Sequence, residues 1–263
     1  MRAFLLAAGL GTRLKPLTDT VPKALVPVRG LPMLDRLAWA LSRGGVTALA
    51  LNTHHLHAAV EGHLHARAGL GHVAGLPGLP VRLFHEPVLL GTGGGLLNAA
   101  SFWGEAPLLV WNGDILADVD PAVLLAAHGT HPDALATLAV SRRPASSRLL
   151  FDADGTLFGI DSPRRNDRRQ VRPASGVLAR LAFHGISVLG PGLCAAMAQR
   201  HPEGGAFDLI DALLEEVAAG GRVQAYDAQD RYWGSTGAPG ELAALERSLA
   251  ERPDLLARWS PLG

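Results

Sequence analysis

Apolar residues fall along this chain in two rhythms. From Arg2 to Ala7 (RAFLLA) they run almost unbroken, the pattern of a strand buried on both faces, and a glycine-rich loop follows. From Pro32 to Arg43 they recur at helical spacing, with Gly44-Gly45 as the stop. The same alternation predicts strands at Thr47–Asn52, Val81–His85 and Leu108–Trp111, with helices at Leu56–Ala66 and Gly94–Ser101. Strands and helices alternating at this interval imply an α/β fold: a Rossmann-like, mixed, mostly parallel sheet flanked by helices.

After a helix at Pro121–His128 the rhythm changes. Ala134–Val140, Arg148–Phe151, Leu157–Ile160 and Leu178–Leu189 read as strands with fewer helices between them. Phe207–Ala219 reads as a helix, Val223–Tyr226 and Arg231–Gly234 as short strands, and Ala238–Glu251 as a closing amphipathic helix. No repeat or linker interrupts the pattern. The expectation is one domain over 1–263, with a first half 1–130, a smaller second-half lobe 131–237, and 238–263 the C-terminal helix. The Arg-rich stretch Asp161–Arg172 is expected to be a mobile loop.

Composition narrows the function. Hydrophobic residues make up 48% of the 263, enough for a sizeable core. Twenty-four basic residues balance 24 acidic ones, so there is no overall basic field for nucleic acid or a membrane surface. The apolar N-terminal run is short and leads into Arg13 and Lys15 without a small-residue cleavage site, unlike a signal peptide. Together with a lone Cys194, which permits no internal disulfide, this predicts a cytoplasmic protein. Of the basic residues only Lys15 and Lys23 are lysines, and both fall inside the most information-rich segment of the chain.

That segment is Ala7–Pro27, AAGLGTRLKPLTDTVPKALVP. A strand ends, Gly9 and Gly11 permit a tight turn, and Arg13 and Lys23 bring positive charge beside it. Exposed N–H groups in such a turn form an anion-binding concavity. The dinucleotide fingerprint is excluded because Leu14 stands where its third glycine belongs, and nothing fits the Gly-Lys-Ser/Thr of a P-loop. Five histidines (His54, His55, His57, His63 and His65) lack the spacing that puts neighbouring metal ligands on one helix face.

The run Gly9-Leu10-Gly11-Thr12-Arg13-Leu14-Lys15-Pro16-Leu17-Thr18, then Pro22-Lys23, resembles the N-terminal signature of the sugar-1-phosphate nucleotidyltransferases. Gly30–Leu34, Leu90–Gly95, Trp111–Asp114 and Phe183–Val188 resemble further family segments, so the likeness runs from residue 2 to about 250. The resemblance implies the nucleotide-diphospho-sugar transferase fold. It implies NTP binding in the 1–130 half by Ala7, Ala8, Gly9, Gly11, Thr12, Thr92, Gly93, Gly94, Asn112 and Gly113, sugar-phosphate binding in 131–237, and in Leu90–Gly95 a second glycine-rich loop where the base and the sugar sit against bare backbone. Catalysis would fall to Arg13 on the pyrophosphate and Lys23 at the reacting phosphate. Asn52, Gly185 and Trp233 would border the sugar, and Asp114 would hold Mg²⁺.

One residue departs from the family. In Trp233-Gly234-Ser235-Thr236-Gly237, Ser235 stands where the family has its second metal-binding aspartate. Magnesium often uses one or two carboxylates, phosphates and waters filling the octahedron, so Asp114 alone suffices in principle; Asp227 or Asp230 are the candidate substitutes. The substrates implied are an NTP, UTP by preference, and N-acetylmuramic acid 1-phosphate. GTP with mannose 1-phosphate is the alternative, and a binding module without turnover the alternative from another class. Arg164 and Arg168 are candidate contacts for an anionic sugar. Monomeric and homo-oligomeric forms both agree with this reading.

Overall fold

A computed structural model describes residues 1–68, 79–163, 166–176, 178–229 and 231–260. In chain order its elements are β1 (Arg2–Leu6), β2 (Pro27–Val28), β3 (Leu31–Pro32), α1 (Met33–Arg43), β4 (Ala48–Thr53), α2 (His57–Ala68) and β5 (Val81–His85). Then come α3 (Gly91–Asn98), α4 (Ala100–Trp103), β6 (Leu108–Asn112), β7 (Ile115–Ala117), α5 (Pro121–Gly129), β8 (Ala136–Ser141), β9 (Arg148–Phe151), β10 (Leu157–Ser162) and β11 (Asp167–Gln170). The chain continues through β12 (Ala179–Leu189), α6 (Pro191–Arg200), α7 (Leu209–Ala218), β13 (Val223–Asp227), β14 (Trp233–Ser235), α8 (Pro239–Glu251) and α9 (Pro253–Arg258). No helix among the described residues is long and apolar enough to cross a membrane.

The chain divides into two compact units that interleave along the sequence rather than following it as consecutive halves. The first contains Met1–Leu89, Trp111–Pro121 and Tyr232–Gly263. Its strands β1, β4 and β5 lie side by side and parallel, Leu5 against Leu51 and Leu51 against Leu83. Ala3, Phe4 and Leu5 are fully buried, which explains the unbroken apolar run of β1. The C-terminal segment joins this unit because β14 pairs antiparallel with β7, Ser235 opposite Ile115. That return places residues 120 positions apart on one ribbon.

The second unit holds Leu90–Val110 and Ala122–Arg231. Its strands run β11-β10-β9-β12-β8-β13, antiparallel throughout except for the parallel β8–β13 pair. The α/β class therefore holds, with β1, β4 and β5 parallel in the first unit and mostly antiparallel pairing in the second. Helix α6 is an element the apolar rhythm misses, although Pro191 at its first turn is a legible start.

The Arg-rich stretch is corrected by the structure. Asp161 and Ser162 end β10 and Asp167–Gln170 form β11, an antiparallel hairpin rather than a free loop. Cross-strand and neighbouring carboxylates neutralise its guanidinium groups: Asp161 pairs with Arg168 at 2.9 Å and also with Arg180, while Asp167 and Asp211 flank Arg169. Arg168 is thereby engaged, and Arg164 lies outside the described residues.

His184 sits inside the second unit at 1% exposure, its Nε2 sharing a 2.8 Å hydrogen bond with Ser141 Oγ. Burial, and then the positive charge of Arg143, push its pKa down from 6.5 to about 4. Burial lowers that of His128 too. Between about pH 6.5 and 4 the unfolded chain therefore binds a proton that folded His184 refuses, so stability falls as pH falls through that window. Urea unfolding at pH 7 and pH 5 is expected to show this drop in midpoint, and a smaller drop in His184→Gln, which keeps a partner for Ser141. An unchanged difference would remove His184 as its source.

Candidate functional site

The first unit gathers most of the sequence-derived site residues around the C-terminal end of β1. The apolar strand delivers the chain to Ala7 and Ala8, whose N–H groups both donate to Asn52 Oδ1 at the end of β4, at 2.7 and 3.3 Å. Beyond them Gly9 and Leu10 are exposed. Gly11 takes a left-handed backbone, φ +65°, that starts a 3₁₀ turn over Thr12–Leu14. Its carbonyl accepts from Leu14 N and from Thr18 Oγ1, each at 2.8 Å, and buried Leu14 and Thr18 pin the turn from beneath. His55 donates through Nε2 to the Thr18 carbonyl at 2.8 Å, fixing the far side. Between these anchors the N–H groups of Gly9 to Arg13 have no hydrogen-bond acceptor among the described residues. They remain available to an anion.

Two cations flank this run in different ways. Arg13 is exposed and makes no ion pair with a described residue; its Nη2 rests beside Gly237, 2.9 Å from where a side chain there would begin. Lys23 is held. Pro22 sets the start of a 3₁₀ turn over Lys23–Leu25, and the Lys23 stem passes 4.0 Å from the Cβ position of Gly9. Its ammonium meets Asp114 Oδ2 at 2.5 Å, both side chains less than a fifth exposed. The exposed pair Lys15–Asp19, at 59% and 49%, contrasts with it. Such surface pairs contribute roughly 0–1 kcal/mol, whereas a contact shielded from water is screened far less. Lys15 is thus a surface residue and Lys23 a site residue.

Asp114 is brought here by the glycine before it. Gly113 N donates to Leu6 O at 2.9 Å, and a Cβ on Gly113 would stand 3.0 Å from that oxygen and 3.3 Å from Ala7 Cβ. A residue without a side chain lets the Asn112–Asp114 turn lie this close to the end of β1 without displacing its neighbours. From the other side, the Asp114 carbonyl accepts Thr236 N at 2.9 Å, and Ser235 lies next along β14. Ser235 Oγ, only 6% exposed, accepts Gly237 N at 2.8 Å.

Of the donors a Mg²⁺ site would draw on, Asp114 offers one carboxylate, whose Oδ2 is paired with Lys23, and the Ser235 hydroxyl is neutral and already an acceptor. Substrate phosphates and water would complete the octahedron. Asp227 belongs to the second unit, where its Oδ1 accepts Gln229 N at 2.8 Å, and Asp230 lies outside the described residues. No group of three or more His, Cys, Asp or Glu able to hold a metal occurs among the described residues. The histidines are fasteners: His54 Nδ1 donates to Glu86 O, His57 Nδ1 meets Thr53 Oγ1 and His63 meets Asp35.

Three readings of the sequence change in detail. The Ala7, Ala8 and Gly113 amides face protein acceptors, so these residues shape the phosphate loop without presenting N–H donors to an anion. Asn52 is 2% exposed and lies beneath the loop, its side chain fully engaged, which removes it from a sugar-facing surface. Thr92, Gly93 and Gly94, in the second unit, are not an open loop but the first turn of α3. There Gly93 N and Gly94 N donate to Phe207 O, and Thr92 Oγ1 accepts Leu209 N at 2.8 Å. A Cβ on Gly93 would sit 2.3 Å from the Phe207 ring, so close packing within the protein explains these glycines.

The remaining predicted residues are placed as follows. Gly185 is buried in β12 at φ +74°, where the register against β8 shifts between Phe183 and Ser187; a bulge with a left-handed residue requires glycine there. Asn112 is half-buried at the end of β6, and Trp233 is half-buried opposite Ala117 on the β14–β7 ribbon. The sequence reading missed Glu86, fully buried after β5; a charged residue closing an apolar strand just before Pro87 was the available signal.

Comparison with known proteins gives a consistent picture. Residues 2–156 match the family described as Nucleotidyl transferase. The N-acetylmuramate alpha-1-phosphate uridylyltransferase of Caulobacter vibrioides is 31% identical over 251 residues, 95% of this chain and 97% of that protein. The mannose-1-phosphate guanylyltransferase of Mycobacterium tuberculosis is 31% identical over 166 residues, 63% of this chain and 42% of its own. In three dimensions, UDP-glucose pyrophosphorylase of Acinetobacter baumannii superposes with a TM-score of 0.74 at 20% identity, covering 97% of this chain and 95% of its own.

The geometry makes Gly11 a sensitive position. Gly11→Ala adds a Cβ 2.7 Å from Thr18 Cγ2 at a left-handed backbone. It is expected to cost at least about 1–2 kcal/mol of unfolding free energy, the usual penalty of that conformation, measured by denaturant titration. Gly45→Ala, also left-handed but facing open space, serves as the control for strain without a clash.

Proposed function

The chain belongs to the Nucleotidyl transferase family, and from that premise we propose that it transfers UMP from UTP to N-acetylmuramic acid 1-phosphate and releases pyrophosphate. The observation that carries the chemistry is the run of available N–H groups, Gly9 to Arg13, beside the sequestered Lys23–Asp114 pair. The nucleotide and the sugar follow from the Caulobacter relative, whose likeness extends over nearly the whole of both chains. Guanylyl transfer to mannose 1-phosphate is the neighbouring reading, favoured by the shorter match to the mycobacterial enzyme.

An oxygen of the sugar 1-phosphate attacks the α-phosphorus of the NTP in line. The new O–P bond forms as the bond to the β-phosphate oxygen breaks, and pyrophosphate departs with that electron pair. A phosphate monoester is already largely dianionic near neutral pH, its second pKa being about 6, so no general base is required. The barrier lies in bringing two anions together and in charge gathering on the leaving group. The protein's task is positioning and electrostatics. The loop amides orient the triphosphate, Arg13 is free to meet the pyrophosphate, and Lys23 is held in place by Asp114 without reorganisation. Mg²⁺ held by Asp114 would neutralise phosphate oxygens.

Ser235 favours a second reading, in which the protein binds the nucleotide without turning it over. Pyrophosphate release measured with UTP, GTP, CTP and dTTP against a panel of sugar 1-phosphates separates the readings; release with none of them leaves the binding module. Lys23→Ala is expected to lower kcat about 10²–10³-fold, the scale of losing one preorganised stabilising group. Near-normal turnover would refute its role. Ser235→Asp is expected to tighten Mn²⁺ binding about tenfold or more by titration calorimetry in the presence of UTP, by adding a second hard ligand. No gain in affinity would mean that the metal is held elsewhere.

A further inference from the structure

Beneath the phosphate loop lies a short polar chain whose direction is fixed. Asn52 Oδ1 accepts two successive backbone amides, Ala7 and Ala8, while Asn52 Nδ2 donates to Glu86 Oε1 at 2.7 Å. Both side chains are buried, at 2% and 0% exposure, so neither reaches a bound nucleotide. The two ends of an asparagine amide are nearly identical in shape and opposite in polarity. Turned the other way, this amide would aim its own N–H groups at two backbone donors and strand them in the core. A carboxylate accepts and does not donate, so Glu86 admits one orientation only. Glu86 is itself tied on both flanks, its N–H to Thr53 O at 2.8 Å and its carbonyl to His54 Nδ1 at 2.7 Å.

We propose that Glu86 is a positioning residue for nucleotide binding: by dictating which way the Asn52 amide faces, it sets the Ala7–Ala8 peptide planes from which the anion-binding loop departs. The proposal rests on the nucleotidyltransferase reading of that loop. Tilting those planes displaces every N–H from Gly9 to Arg13, so the effect falls on the nucleotide and not on the sugar phosphate.

The test is a polarity swap. Glu86→Gln and Asn52→Asp each break the match of one donor to one acceptor, the first by loosening the orientation, the second by setting two carboxylates face to face. The double variant places an amide at 86 and a carboxylate at 52, restoring a single donor–acceptor match while two backbone amides still find an acceptor. Calorimetric Kd values for UTP, with GTP, CTP and dTTP as controls, are expected to weaken at least tenfold in each single variant and to recover most of that loss in the double. In turnover, the KM for the nucleotide is expected to rise while the KM for the sugar phosphate holds. Single variants that bind like the wild type, or a double variant as weak as the product of the two singles, would overturn the proposal.

Should a single variant fail to fold, amide exchange in the wild-type protein decides. Ala7 and Ala8 are expected to exchange at least a hundredfold more slowly than Gly9 and Leu10, and equally fast exchange would overturn it. Wild-type protein that binds none of the four nucleotides refutes the functional reading itself and the proposal with it, an outcome distinct from a failed rescue.

Discussion

An ammonium and a carboxylate 2.5 Å apart, both mostly shielded from water, form the contact on which the site depends. Lys23 and Asp114 are 91 residues apart, and nothing local brings them together. The lysine is aimed by the turn after Pro22, and the aspartate by the close approach of Gly113 to the end of β1. A charge fixed in this way needs no reorganisation when a phosphate arrives, which is where electrostatic catalysis gains most of its effect. Taking either partner away leaves the other half-buried and uncompensated. The pair is therefore a structural clasp at the centre of the proposed site.

Around it, rigidity and availability are divided residue by residue. Ala7, Ala8 and Gly113 have their amides engaged by Asn52 and Leu6, and so form the frame. Gly9 to Arg13 have theirs unengaged among the described residues and form the proposed receptor. Thr18, Leu14 and His55 hold the receptor's shape from below without entering it. Arg13 is exposed and makes no ion pair with a described residue. With 24 acidic residues against 24 basic ones, the protein has no net attraction for phosphate. Any affinity for anions would have to come from a local arrangement such as this one.

Glycine serves two unrelated purposes in the chain. At Gly11 and Gly185 the backbone is left-handed and a side chain would be strained. At Gly93, Gly94 and Gly113 the backbone is ordinary, and the constraint is a neighbour within the radius of a Cβ: Phe207, Gly205 O or Leu6 O. Ser235 shows a comparable economy. In the family pattern that position is acidic; here a hydroxyl secures the turn at Gly237.

The sequence by itself determined the parallel strand pattern of the first unit, the tight turn at Gly11, the two cations beside that turn and the acid at the end of an apolar strand. Each follows from local chemistry: unbroken apolar runs, glycine spacing, and charges where a strand meets a loop. It misread Asn52, Thr92–Gly94 and the Arg-rich hairpin for one common reason. Whether an amide is open to a ligand or already accepted by the protein depends on partners far along the chain, such as Asn52 for Ala7, Glu86 for Asn52 and Phe207 for Gly93. Likewise, whether arginines form a solvated loop or a hairpin depends on the carboxylates set opposite them by strand register. Only the tertiary structure decides such pairings, because hydrogen bonds and ion pairs act over a few ångströms in space and carry no trace of separation in sequence.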